Sequence, residues 1–130
     1  MDMQVGIFMS EVSKFVSENG PSTVFSFKVF TQPTEMDLNI IRTGISMYLY
    51  FYEAGEISVE NEKAVLCIVE EIDEELADII QDYRGYVLNV LLPITEEKLA
   101  ERFMKEISYS LNFLKLKNEP MGFKEVVNNV

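Results

Sequence analysis

The side chains in this chain that could do chemistry are almost all carboxylates, and they are unevenly placed. Between Glu53 and Asp82 stand eleven acids (Glu53, Glu56, Glu60, Glu62, Glu70, Glu71, Asp73, Glu74, Glu75, Asp78 and Asp82), opposed by Lys63 alone. Residues 1–83 carry 16 acids and 4 bases, while residues 84–130 carry 6 acids and 7 bases. The spacing 71-74-75-78-82 places Glu71, Glu74, Glu75, Asp78 and Asp82 on one outward face of a helix, if Ile72, Leu76, Ile79 and Ile80 face a core. Like charges at these spacings destabilise an isolated helix by about a few tenths of a kcal/mol per pair. Two readings follow. One is a docking face for a basic partner, where a concentrated field speeds association. The other is a solvated face that keeps the protein soluble.

Catalytic and metal-binding readings of the same residues find little to stand on. The chain has no histidine, which removes His-based triads, imidazole bases and the Glu-x-x-His di-iron motif. No alternating Asp pattern of a calcium loop occurs, and the six glycines are isolated, so no phosphate-cradling loop or nucleophile elbow is present. Glu96-Glu97-Lys98 resembles the Glu-x-Lys pair of some nucleases, but acids belong in a first helical turn for electrostatic reasons alone. Cys67 lies in an apolar run without a basic neighbour in sequence and reads as a packing residue. The expectation is a non-enzyme with no catalytic residue, cofactor or metal.

Tyr48, Tyr50 and Tyr52 recur at period two. As a ladder on a strand they read either as a sheet face covered by a helix or as a protein-contact surface, since tyrosine gives large contact area at low entropy cost. They lack the interleaved Lys or Arg of a base-stacking RNA platform. A net charge of −11 likewise argues against gripping nucleic-acid phosphates or an anionic membrane.

The elements that must position these groups follow from hydrophobic period. Val5, Phe8, Met9, Val12, Phe15 and Val16 form a helical stripe over residues 3–18, stopped by Asn19-Gly20-Pro21. Thr23 to Phe30 alternates as a strand, with Phe25, Phe27 and Val29 on one side. Residues 34–52 carry two patterns. Leu38, Ile41, Ile45, Tyr48, Leu49 and Tyr52 fit a helix started near Thr34, yet Ile45 to Tyr52 also alternates cleanly. The aromatic and branched content favours a strand there, with Gly44 as its start or bulge. Glu53-Ala54-Gly55-Glu56 then reads as a hairpin turn.

Ala64 to Val69 is an unbroken apolar run, which predicts a central strand covered on both faces. Ile72 to Tyr83 changes to helical period and stops at Gly85; Tyr86 to Leu92 is another apolar strand, ended by Pro93. Thr95 caps a long helix with Leu99, Phe103, Ile107, Leu111 and Leu114 inward, Glu96 and Glu97 in its first turn and Lys115 and Lys117 near its end. A second apolar stripe of Tyr109, Phe113 and Leu116 runs beside the first. After the break at Asn118-Glu119-Pro120-Met121-Gly122, residues 118–130 read as a loosely held tail.

The expected fold is a single α+β domain over residues 1–130, with a sheet of about four mainly antiparallel strands and three helices in the order α-β-β-β-α-β-α. Asp2 in place of a basic n-region argues against a signal peptide, and one cysteine suits a reducing compartment, so the expected location is the cytoplasm.

The expected function is a non-enzymatic, acidic protein-binding module that neutralises or inhibits a basic partner protein, as an immunity protein, antitoxin or phage inhibitor does. Its expected contact residues are Glu71, Glu74, Glu75, Asp78, Asp82, Tyr48, Tyr50 and Tyr52. In size, acidity and mixed element order the chain is also similar in outline to type III secretion chaperones. That resemblance implies a small acidic homodimer that wraps an extended segment of a secreted effector.

Overall fold

The computed structural model describes residues 3–53, 65–80 and 85–127. Among the described residues eight elements follow one another: α1 (Met3–Asn19), β1 (Ser22–Val29), α2 (Glu35–Glu53), β2 (Leu66–Glu71), α3 (Glu74–Ile80), β3 (Tyr86–Leu92), α4 (Glu97–Phe113) and β4 (Asn118–Val126). The four strands form one antiparallel sheet in the order β2-β3-β1-β4. The α+β single sheet is as expected, with four helices in place of three.

Two connections explain the strand order. β1 reaches β2 through α2 by passing over β3, and β3 reaches β4 through α4 by passing over β1. Leu38, Ile41, Ile45 and Leu49 of α2 join Ala100, Phe103, Ile107 and Leu111 of α4 on the face carrying Phe25, Phe27, Val29, Leu88, Val90 and Leu92. From β1 to β4, leaving α3 aside, this is the split β-α-β arrangement of ferredoxin-like topology. The opposite face is capped by α1, through Val12, Phe15 and Val16 on Val24 and Leu91, and by α3, through Ala77 with Ile72 on Val87.

Three expectations are corrected. Residues 35–53 are helix, so the strand from Ile45 to Tyr52 does not exist. A reciprocal cap decides it: the Asp37 amide donates to Thr34 Oγ1 at 3.1 Å, and the Thr34 amide donates to Asp37 Oδ2 at 2.8 Å. The period-two pattern would have buried Met47, which is exposed, whereas Ile41, Ile45 and Leu49 are buried at helical spacing. Glu53 accordingly ends a helix, and the rest of the expected hairpin turn lies outside the described residues.

Secondly, the apolar run near Cys67 is an edge strand, and β1 and β3 are the central ones. Both faces of an edge strand can still be covered, here by α1 on one side and α2 on the other. Thirdly, Asn118–Val126 is no loose tail but the other edge strand, paired along all of β1. Ser26 pairs with Gly122 and Phe27 with Pro120, so Met121 is an extra, bulged residue. An edge position tolerates Pro120, which cannot donate to a ladder.

The long helix also begins and ends differently in detail. Glu96 is the N-cap, without a side-chain cap bond, in place of Thr95. After Phe113 the Lys115 amide donates to Asn112 O and the Leu116 amide to Leu111 O, with Lys115 at φ 59°. This closing motif usually holds glycine at the left-handed position, so a lysine there leaves no sequence signal. Tyr109 and Phe113 of the second stripe are exposed, while Leu116 beyond the helix is buried.

Two glycines separate these conclusions experimentally. At Gly85, φ is +98° and an added Cβ would stand 2.4 Å from Val29 O, so Gly85→Ala should destabilise by about 2–3 kcal/mol. At Gly44 an added Cβ meets nothing within 4 Å. Because Gly44 lies inside α2, Gly44→Ala should stabilise by about 0.5–1 kcal/mol in chemical denaturation. A loss at Gly44 would contradict the helix.

Candidate functional site: the acidic corner of β2 and α3

The five acids expected on one helix face divide between elements. Glu71 is the last residue of β2, Glu74, Glu75 and Asp78 belong to α3, and Asp82 lies outside the described residues. Glu71, Glu75 and Asp78 are exposed. α3, seven residues among those described, sits on the sheet through Ala77. Two residues further along a helix the direction turns by about 200°. Ile79, expected to face inward, therefore points away from the sheet and is 74% exposed. It stands beside Glu75 at a spacing of four, and Glu75 stands beside Asp78 at a spacing of three, so the corner presents an apolar side chain on an acidic ridge.

Glu70 lies next to this ridge but turns to the sheet. It pairs with Val87, which pairs in turn with Lys28, and Lys28 with Glu119, so one cross-strand row reads Glu70–Val87–Lys28–Glu119. Glu70 Oε1 is buried without a hydrogen-bond partner, and burial holds the carboxyl above the ordinary glutamate range. Lys28 is 4% exposed, with Nζ 4.2 Å from the Phe30 ring centroid. In the neighbouring row the Ser26 hydroxyl bonds Asn89 Oδ1 at 2.6 Å. A polar seam thus crosses the sheet between the footprints of α1 and α3.

The tyrosine ladder is dissolved by α2, because residues two apart on a helix point in divergent directions. Tyr48 packs edge-on against Phe103, with ring centroids 5.1 Å apart at 88°, and is a half-buried part of the core. Tyr50 and Tyr52 lie on the same helix.

Cys67 gains a neighbour that sequence distance concealed. Arg42 of α2, which also bonds Asn39 and approaches Glu35 at 3.9 Å, hydrogen-bonds the thiol. Burial wins over the guanidinium and pushes the thiol up to about 12, so it stays protonated and a poor nucleophile at neutral pH. Glu96 and Glu97 cap and open α4, and no grouping of acids or cysteine suited to a metal occurs among the described residues. Nor is any helix among them long and apolar enough to cross a membrane.

A groove of about 710 Å³ runs between α1 and β4, walled by Met9, Val16, Met121 and Val127 and floored by Ser26 and Asn89. Nothing in the sequence marked it, because its walls are over a hundred residues apart.

In comparisons with known proteins, no family model, no curated protein and no solved structure matches the chain. The class is therefore defined by the fold alone: an α+β domain of split β-α-β topology, an architecture that hosts many unrelated functions.

Two measurements test these placements. Tyr48→Ala should cost about 2 kcal/mol of stability through its lost contact with Phe103, which a surface tyrosine would not. At pH 8, Cys67 should react with a maleimide much more slowly than a solvent-exposed thiol, and a burst of labelling in native buffer would contradict its protonated, partly buried state.

Proposed function

We propose that this chain is a non-catalytic protein-binding module that neutralises or inhibits a basic partner protein through the β2–α3 corner. The observation that carries this reading is Ile79, 74% exposed on a ridge shared with Glu75 and Asp78. Interfaces draw most of their affinity from a few desolvated anchors, while surrounding charges set approach rate and partner choice. An isolated apolar side chain amid one-signed charge has both parts. The excess of acids in residues 1–83 extends the same field over much of the molecule and favours a cationic partner. The reading places the protein in the cytoplasm, consistent with its single cysteine.

A second reading, a chaperone for a secreted effector, has one observation in its favour. The groove between α1 and β4 lies beside an exposed edge strand, where an extended segment could bind. It requires a dimer, and Met9→Glu should abolish its activity while leaving the corner intact.

The test is affinity capture with immobilised protein, comparing wild type with the combined Glu71→Lys, Glu75→Lys and Asp78→Lys variant and with Ile79→Asp. The expected result is a basic protein retained by wild type, released by rising salt, and held about tenfold or more weakly by either variant. Retention that ignores both salt and these substitutions would reject the corner as the contact surface.

A further inference from the structure

We propose that Glu70 is a proton-operated catch for the β2–α3 corner: protonated, it lets α3 sit firmly on the sheet, and ionised, it loosens that seat. The device does not depend on whether the corner docks a partner.

Its position supports this. On one face of β2, Glu70 stands between Ile68, which packs with the α1 cluster, and Ile72, which packs with Ala77 and Val87 under α3. One carboxyl oxygen, Oε1, is buried there with no hydrogen-bond partner. A neutral carboxyl tolerates such a place far better than a carboxylate, whose desolvation is not offset by a bonded donor. Among the described side chains the α3 seat is made by Ile72, Ala77 and Val87, directly beside Glu70, so an electrostatic load there bears on the seat itself.

Among the described residues, the charged groups around Glu70 give it little relief. β3 contributes Val87 and Asn89 beside it and no titratable side chain in its row. On β1, Lys28 stands one strand beyond Val87 with its ammonium over the Phe30 ring, and Glu119 of β4 follows it. β2 and the following turn add Glu71 and Asp73, and α3 adds Glu75 and Asp78, all acidic. The charged residues of α1 (Glu11, Lys14 and Glu18) are exposed to solvent.

The sign follows from linkage. Burial raises the Glu70 carboxyl above its unfolded value of about 4.3, so the seated corner binds the proton more tightly than the loosened one. Seating is therefore firmest below that unfolded value and weakens as pH rises through the raised one. A proton leaves the Glu70 carboxyl for solvent as α3 loosens; no other covalent bond changes.

Native-state amide exchange tests this, read at Ala77, whose amide bonds Asp73 O, and at Ile72, whose amide bonds Gly85 O. After correction for the intrinsic rate, protection at both sites should fall about threefold or more between pH 4.5 and 7.5 relative to Leu111. Glu70→Gln should hold protection flat across that range, and Glu71→Gln, which alters an exposed acid, should leave the fall in place. The proposal is overturned by an equal fall in Glu70→Gln, by loss of the fall in Glu71→Gln, by a flat wild type, or by amides unprotected at acid pH.

Discussion

The fold hangs on the wedging of Phe103 between the helix layer and the sheet. Its ring meets Tyr48 of α2 edge-on at 5.1 Å and Phe25 of β1 at 6.5 Å, and Phe25 in turn meets Phe123 of β4 at 5.9 Å. Two consecutive pairs of elements, β1 with α2 and α4 with β4, far apart in sequence, are joined by one chain of aromatic contacts. Both crossover helices must lie on the same face for these rings to meet, and with them there β1 and β3 hold the centre of the sheet. The edges then go to β2 and β4, whatever their own hydrophobicity.

The opposite face is less uniformly apolar, and that difference shapes the surface. α1 and the short α3 cover its two ends, and between them runs the seam of Ser26, Asn89, Lys28 and Glu70. Ser26 and Asn89 satisfy each other. Glu70 does not obtain as much at its buried oxygen. α3 sits on the sheet through Ala77, and Ile79 is left on the outside. The exposed isoleucine and the unpartnered carboxyl oxygen thus belong to one corner, where β2 passes into α3.

Acidity has a structural address as well. Exposed Glu71, Glu75 and Asp78 gather where β2 passes into α3, while α4 and β4 carry mixed signs. A field of one sign at one corner draws cations toward that corner, which is the property the binding proposal uses. Tyr48, by contrast, belongs to the core that holds the corner's platform in place.

Much of this was legible from the chain itself, for a common reason: a residue's periodic spacing reports which side of its own element is buried. The alternation of Phe25, Phe27 and Val29, the apolar run of β3, the inner stripe of α4 and the location of the acids all follow from that. Residues 34–52 carried both periods, and the Thr34–Asp37 cap with burial against Phe103 selected the helix. Periodicity says nothing about which strands become neighbours, so the edge placement of Cys67 and the recruitment of Asn118–Val126 into the sheet were decided by the crossovers. The meeting of Arg42 with Cys67, the row from Glu70 to Glu119 and the outward turn of Ile79 likewise belong to tertiary structure alone. Each depends on packing between distant segments, and local spacing holds no record of it.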